Sequence, residues 1–210
     1  MMDPGKQRAR MVEEQLRRRG IADSRVLTAM GQIPREAFVP DAQKHNAYVD
    51  GALPLSHGQT ISQPLMVAMS IEALQLEGDE TVQEVGAGSG YQAAVLSKLA
   101  KKVYAIEIIP ELVASAKRAI ADLGIDNVEL VCADGRKGWP PGAPYDGIVV
   151  AAAAEEVPPA LVEQLREGGR LVIPVGGRWG QALQASRKRR GKLETAELCR
   201  CVFVPLVYGG

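Results

Sequence analysis

The chain has 210 residues, of which 46% are hydrophobic and 24% charged, and its 25 basic side chains are balanced by 25 acidic ones. This length and composition predict a single globular domain that folds without disulfides or metals, and they exclude a disordered or repetitive chain. Because the net charge is zero, no overall field favours a nucleic acid or an anionic membrane surface. We therefore expect local recognition of a partner and no nucleic-acid ligand.

The amino terminus and the cysteines indicate a reducing compartment. Residues 1–10 lead into a charged segment and lack the apolar core of a signal peptide. No run approaches the ~18 apolar residues of a membrane span. Cys132, Cys199 and Cys201 show no CxxC spacing and no cluster with histidine, which argues against a disulfide framework and a zinc site. We expect a cytoplasmic monomer with no metal and no membrane partner, whose cysteines are small buried hydrophobic residues.

The first third of the chain is predicted to be helical and then irregular. Residues 6–30 place apolar side chains among charges at helical spacing, which predicts one or two amphipathic helices broken near Gly20. Arg17, Arg18 and Arg19 are interpreted as a solvated helix face, with an RNA contact as the alternative. Residues 33–64 are rich in proline and glycine without helical period, and irregular segments of this length are usually functional.

Helices and strands alternate from residue 64 onward. The pattern predicts helices over residues 64–76, 91–100, 110–123 and 158–165, and strands over 81–85, 102–107, 128–132, 147–151 and 170–174. This alternation predicts an α/β fold with a doubly wound, largely parallel, Rossmann-like sheet and helices on both faces. Ligands of such sheets bind at the carboxyl ends of the strands.

The last part of the chain no longer alternates between helices and strands. Residues 181–188 and 193–206 predict a C-terminal β hairpin, and the basic residues 186–192 are interpreted first as its exposed turn and second as a binding patch. We expect one domain over residues 1–210. Its parts are N-terminal helices and a substrate loop (1–77), a cofactor-binding core (78–176) and the C-terminal β segment (177–210).

A glycine-rich turn joins the first predicted strand to its helix. Gly86, Gly88 and Gly90 allow the backbone to approach a ligand closely, and the helix start offers unpaired amides. The spacing is G-x-G-x-G, and Tyr91 stands where a dinucleotide fingerprint would have its third glycine. The turn therefore predicts a polar ligand and disfavours a pyrophosphate.

Acidic residues end the next two strands. Glu107 follows the turn by about 20 residues, where a carboxylate can accept from both ribose hydroxyls. Asp134 and Gly135 stand at the end of the following strand, in a position suited to an adenine edge. The joint pattern predicts a nucleoside site.

The motifs EVGAGSGYQ, YAIEI and ADG resemble those of the class I S-adenosylmethionine-dependent methyltransferases. The resemblance implies S-adenosyl-L-methionine as cofactor. It assigns the methionine part to Gly86, Ala87 and Gly88, the ribose to Glu107, and the adenine to Asp134 and Gly135.

The segments REAFVP, AYVDGALPLSHGQTISQP, RLVIPVG and FVPLV resemble the protein-L-isoaspartate O-methyltransferases across nearly the whole chain. The resemblance implies methyl transfer to the free α-carboxylate of L-isoaspartyl residues in damaged proteins and peptides, which starts repair through a succinimide. It makes Ser62 the catalytic residue and assigns the flanking of the substrate peptide to Thr60, Ile61, Phe203, Val204 and Pro205.

Some alternatives stay open at this level. A carboxylate acceptor with a pKa near 4 is already ionised at neutral pH, so His57, a candidate base, is also interpreted as a structural loop residue. Ser62 either orients the acceptor or caps the helix that begins at Pro64. A methyltransferase acting on a small metabolite or RNA, and a non-enzymatic nucleotide-binding module, are the rival functions.

Overall fold

The computed structural model describes residues 3–177 and 180–207, so Met1 and Met2 of the amino-terminal segment lie outside the described residues. The helices are α1 (Pro4–Arg10), α2 (Ser24–Gln32), α3 (Pro64–Leu74), α4 (Tyr91–Leu96), α5 (Pro110–Asp122) and α6 (Pro159–Gln164). The strands are β1 (Leu53–Pro54), β2 (Thr60–Ile61), β3 (Thr81–Val85), β4 (Lys102–Glu107), β5 (Val128–Cys132), β6 (Tyr145–Val150), β7 (Leu165–Gly177), β8 (Gly180–Arg189) and β9 (Lys192–Cys201).

The central sheet has seven strands in the order β5-β4-β3-β6-β7-β8-β9. The strands from β5 to β7 are parallel, and β8 and β9 add an antiparallel hairpin at one edge. The chain moves from β3 outward to β5 and then returns to β6 on the other side of β3. Such a reversal opens a crevice at the carboxyl ends of the central strands. The predicted doubly wound fold and C-terminal hairpin are confirmed.

Side chains alternate between the two faces of the sheet, as the pleat requires. Val82, Val103 and Val149 face one hydrophobic cluster, which also contains buried residues of α2, α3, α4 and α5. Val85 and Ile148 face the second cluster, which α6 covers. The prediction of helices on both faces is confirmed, with most of the helical cover on the first face.

The N-terminal helix is broken where the sequence predicts. α1 continues through a π-helical stretch (Met11–Leu16) and a 3-10 turn (Arg17–Arg19), and Gly20 ends it with a φ of 99°. Arg17 and Arg18 lie 3.2 and 3.5 Å from the carboxylate of Glu13, and all three side chains are largely exposed. These exposed ion pairs favour a solvated helix face.

Several predicted boundaries are wrong: two helices end early for local reasons, and one strand is lengthened by its neighbours in the sheet. The helix predicted over 91–100 stops at Leu96, where Ser97 Oγ donates to the carbonyl of Ala94. The helix predicted over 64–76 stops at Leu74, because Gln75 is left-handed with a φ of 50°. The strand predicted over 170–174 is the much longer β7, since β6 and β8 supply partners along its length.

The C-terminal β material is shorter than residues 193–206. β9 ends at Cys201, and residues 202–207 then run beside Ala153 at the carboxyl end of β6. The expectation of buried cysteines is wrong, since Cys132 is exposed and the other two are partly exposed. Within the part of the chain that the structure describes, no helix is both long and apolar enough to cross a membrane.

The basic segment 186–192 forms the turn of the β8–β9 hairpin, as predicted. Arg190 and Gly191 have φ angles of 53° and 75°, as in the tight turns that match the twist of antiparallel strands. Lys188 Nζ donates to the carbonyls of Val162 and Leu165, both at 2.7 Å. These carbonyls lie at the end of α6, where a cation is favourable. Part of the basic cluster therefore stabilises the fold.

The Lys188→Met substitution should lower the free energy of unfolding by roughly 1–3 kcal/mol, because two carbonyls lose a charged donor. Urea denaturation provides the measurement. Lys192→Met is the matched control, since Lys192 is exposed across the same turn, and it should change stability by less than about 0.5 kcal/mol. Equal stabilities of the two variants would contradict this role of Lys188.

Candidate active site

The glycine-rich turn lies at the carboxyl end of β3, beside the crevice. The amides of Gly86 and Ala87 donate to the carbonyl of Ile106 at 2.8 and 3.0 Å, so the turn is held against β4. Gly86 and Gly88 have φ angles of 82° and 53°, which favour glycine. A Cβ on Gly90 would lie 3.0 Å from the Cβ of Ala116, so a side chain there would crowd α5.

Glu107 ends β4 and is buried. Its carboxylate accepts from the amides of Gly88 at 2.8 Å, Ile108 at 2.8 Å and Ile109 at 3.0 Å. These bonds fix the carboxylate against both the glycine-rich turn and the start of the loop to α5. Because a carboxylate offers about four lone-pair sites, it keeps some capacity for a ligand hydroxyl.

Two pockets meet at Gly86, and together they form the cleft. The acceptor-side pocket is lined by Thr60, Ile61, Ser62, Val67, Glu84, Gly86, Ala87, Gly88, Ser89, Tyr91, Gln92 and Ala151. The nucleoside-side pocket is lined by Gln59, Val85, Gly86, Ile106, Glu107, Ile108, Ile109, Gly135, Ala152, Pro205, Leu206 and Val207. The structure thus brings the irregular N-terminal segment, the glycine-rich turn and the C-terminal segment to one place.

Sequence reasoning missed Glu84, the fourth residue of β3. Its side chain is fully buried in the acceptor-side pocket, and neither carboxylate oxygen has a hydrogen bond within the described residues. Burial raises the pKa of Glu84 well above its usual 4.5, and the nearby carboxylate of Glu107 raises it further. The Gln92 amide opposes this shift slightly but does not form a hydrogen bond of ordinary geometry. The available signal was an ionisable residue inside a predicted strand of a parallel sheet, where both faces are usually buried.

The charges of the cleft fit a cationic ligand. Among the described residues that line the two pockets, Glu84 and Glu107 are acidic and none is Lys, Arg or His. A buried carboxylate without a partner is unfavourable, so a ligand cation or donor beside it would be stabilised. S-adenosyl-L-methionine has an amino group and a sulfonium, whereas a pyrophosphate would be repelled. The residues present therefore fit that cofactor.

Of the other two predicted cofactor residues, one lines a pocket and the other does not. Gly135 lines the nucleoside-side pocket, and a Cβ there would lie 2.3 Å from Val85 Cγ1, so only glycine fits without rearrangement. Asp134 is not among the residues that line either pocket. Its carboxylate accepts from the amide of Arg136 at 3.0 Å and caps a short 3-10 turn.

Of the three C-terminal residues predicted to flank the substrate, only one lines either of the two pockets. Pro205 lines the nucleoside-side pocket. Phe203 exchanges backbone hydrogen bonds with the side chain of Gln181, and the Val204 carbonyl accepts from Ala153 at 2.8 Å. Phe203 and Val204 thus fix the course of the segment and do not belong to the lining of the two pockets.

Ser62 is half-buried in the acceptor-side pocket. The interpretation of Ser62 as a helix cap is wrong: Gln63 is the N-cap of α3, and no side chain caps that end. Ser62 lies one position too early to cap, and no hydrogen bond of its hydroxyl occurs among the described residues. His57 lies outside the pocket linings, with Nε2 3.9 Å from the carboxylate of Glu111 on α5.

This fold and cleft define an S-adenosyl-L-methionine-dependent methyltransferase of the class I type. The family model for protein-L-isoaspartate(D-aspartate) O-methyltransferase matches residues 6–209. The chain belongs to that family. Its substrates are accordingly proteins and peptides that contain isoaspartate.

Relatives of known name support the assignment. The chain is 52% identical to a protein-L-isoaspartate O-methyltransferase of Roseiflexus castenholzii, covering 99% of this chain and 95% of that one. It is 49% identical to that of Methanoculleus marisnigri, covering 96% and 92%. A solved structure of a Plasmodium falciparum protein-L-isoaspartate O-methyltransferase in complex with S-adenosyl-L-homocysteine is similar with a TM-score of 0.84 and 29% identity, covering 95% of this chain and 98% of that one.

The buried Glu84 should make stability depend on pH. The unfolded chain loses this proton near pH 4.5, whereas the folded chain keeps it to higher pH. Above pH 4.5 the folded state therefore binds more protons, and the free energy of unfolding should fall as pH rises through the folded pKa. The free energy of unfolding of the Glu84→Gln variant should fall less over that pH range. Urea denaturation without cofactor provides the measurement.

Glu163→Gln is the control for the Glu84 experiment, because Glu163 is exposed. It should follow the pH dependence of the unaltered protein. If Glu84→Gln keeps that dependence unchanged, Glu84 does not carry the proton.

Proposed function

We propose that the cleft performs isoaspartyl methyl transfer with Ser62 as the residue that orients the acceptor. The observation that carries the proposal is the juxtaposition of an unpartnered Ser62 hydroxyl and the glycine-rich turn in one pocket. The two segments approach closely, since a Cβ on Gly88 would lie 3.9 Å from the Thr60 carbonyl oxygen. A donor in the acceptor segment and the cofactor turn therefore face the same space.

The cofactor roles follow from the two pockets. S-adenosyl-L-methionine supplies an electrophilic methyl group when it is bound. Gly86, Ala87 and Gly88 would hold its methionine part, and the buried Glu84 would attract its amino group. Glu107 would accept from the ribose hydroxyls with its remaining lone pairs.

The adenine is assigned to the region of Gly135, with Pro205 closing the pocket from the other side. Because a Cβ on Gly135 would overlap Val85, glycine at this position lets the turn lie close against β3 beside the pocket. Asp134 precedes Gly135 in the chain, and its carboxylate accepts one amide, that of Arg136, and keeps further lone pairs for a ligand donor. The assignments of Gly135 and Pro205 rest on the lining of the nucleoside-side pocket.

The acceptor needs orientation and not deprotonation. An α-carboxylate is ionised at neutral pH, so its oxygen is already nucleophilic. Ser62 Oγ would donate to one carboxylate oxygen and leave the other directed at the methyl group, in a partly enclosed pocket that limits water. The main-chain nitrogen of the next residue then attacks the ester carbonyl and expels methanol, which closes a succinimide, and hydrolysis of that ring returns part of the damaged residue to aspartate.

The substrate peptide is assigned to the space between two chain segments. Thr60 and Ile61, which form β2, would lie on one side of the peptide, and Phe203, Val204 and Pro205 would lie on the other. Extended segments bind peptides through main-chain hydrogen bonds, which fix the register of the bound chain. The short β1–β2 hairpin and the C-terminal segment would together set the position of the isoaspartyl branch.

We further infer a cytoplasmic monomer that acts on proteins and not on nucleic acids. The three cysteines are free thiols, in keeping with a reducing compartment. Aromatic residues make up 4% of the chain, which offers few surfaces for stacking bases. An RNA methyltransferase and a nucleotide-binding module are the weaker alternatives, because neither explains the acceptor segment beside the turn.

Ser62→Ala should lower the rate of methyl transfer by roughly tenfold to a thousandfold while cofactor affinity holds, because the lost hydroxyl orients only the acceptor. Steady-state kinetics and calorimetry with S-adenosyl-L-methionine measure the two quantities. His57→Ala is the control in the same loop and should change the rate little. An unchanged rate for Ser62→Ala would leave it without a role in catalysis.

An L-isoaspartyl peptide should be methylated at least ~100-fold faster than its L-aspartyl twin. The aspartyl carboxylate lies about one bond length away in a chain of fixed register, and a displacement of ~1 Å can cost about a hundredfold in rate. Radiolabelled methyl transfer followed by alkaline release of methanol is the assay. Comparable rates, or a label stable to base, would refute this acceptor assignment.

A further inference from the structure

Arg35 is a fully buried cation close to the acceptor-side pocket. It begins a 3-10 turn (Arg35–Phe38) after α2, and its exposed fraction is 0%. Burial lowers the pKa of its guanidinium to about 10. No carboxylate forms an ion pair with it in the described part of the chain. Burying an arginine without such a partner is unfavourable, so its remaining contacts must compensate.

Those contacts come from three different segments. Nε donates to the carbonyl of Ala47 at 2.8 Å, and Nη2 donates to the carbonyl of Ser62 at 2.8 Å. The guanidinium carbon lies 5.0 Å from the ring centroid of Tyr91, a cation–π distance. Tyr91 is the first residue of α4, directly after the glycine-rich turn.

This arrangement joins the acceptor segment to the cofactor turn through one rigid group. The planar guanidinium fixes the directions of its donors, so the Ser62 carbonyl cannot move independently of the Tyr91 ring. Phe38, in the same 3-10 turn, packs edge-on against Tyr91 with ring centroids 5.7 Å apart. The turn that carries Arg35 is thus itself seated on α4.

We propose that Arg35 is a positioning residue that sets the main chain of Ser62 relative to the glycine-rich turn. It does not line either pocket, so it acts through Ser62. This inference rests on the proposed role of Ser62 in orienting the acceptor. Because displacements of ~1 Å in a reacting pair can cost about a hundredfold in rate, loss of the Nη2 bond slows methyl transfer without removing any group that touches cofactor.

The test uses Arg35→Lys. Lysine keeps the positive charge, but it lacks the planar guanidinium that donates to the carbonyls of Ala47 and Ser62 at the same time. The expected result is a kcat at least about tenfold lower, with the calorimetric Kd for S-adenosyl-L-methionine within about twofold. Arg35→Met is measured beside it, because an apolar replacement avoids a misplaced buried charge. Failure of both variants to fold would make Arg35 a residue of the core and overturn the proposal.

Two controls separate positioning from general stability. Arg25→Lys is the chemical match, because Arg25 also donates to two main-chain carbonyls, those of Leu76 and Leu99, away from the pockets. Leu16→Ala is the stability match, since Leu16 is fully buried at a distance from the pockets. Both should keep kcat within about twofold at a temperature where they are folded. A comparable loss of kcat in Leu16→Ala would overturn the proposal.

A double-mutant cycle with Ser62→Ala distinguishes this inference from the function on which it rests. If Arg35 acts through Ser62, the double variant should be no slower than the slower single variant. Additive losses would show that Arg35 acts elsewhere. If Ser62→Ala alone is fully active, the proposed role of Ser62 fails; if it is slow and Arg35→Lys is not, only the role of Arg35 fails.

Discussion

The carboxylate of Glu107 holds together the two strand ends on which the cleft is built. It accepts three main-chain amides, one from the glycine-rich turn after β3 and two from the loop after β4. Those amides would otherwise point into a partly buried space without partners, which is costly. One side chain therefore fixes the turn, satisfies its donors and remains beside the nucleoside-side pocket. With the proposed ribose contact, the same residue would couple the stability of the turn to the affinity for ligand.

Glu84 adds a second buried acid to the same cleft. The carboxyl of Glu84 stays protonated to higher pH than usual, because burial and Glu107 both disfavour its ionised form. A cationic ligand would relieve that cost and strengthen its own binding. Without a ligand, the ionised form of Glu84 is disfavoured, and a positively charged group beside it would favour ionisation. A fold optimised only for stability would have placed an apolar residue at this position.

Much of the fold could be predicted because strand-like and helix-like segments alternate along the chain. β3, β4 and β5 have the predicted bounds, and the turn after β3 follows from its glycines. The end of α4 could not be predicted, since a side-chain bond of Ser97 and the packing of the following turn decide it. The length of β7 is set by its neighbours in the sheet, a contact that local periodicity does not encode.

The candidate site divides in the same way. The sequence by itself determined the family, through motifs spread over nearly the whole chain, and it determined the glycine-rich turn and the acid of β4, through residue types at short fixed spacing. Only the tertiary structure decided that Ser62 shares a pocket with the glycine-rich turn, that Asp134 is not among the residues lining the two pockets, and that Arg35 reaches three segments. The physical reason is distance along the chain. Residues 35, 62 and 91 meet only when the core closes, and hydrogen bonds and burial between such distant segments leave no periodic trace in the sequence.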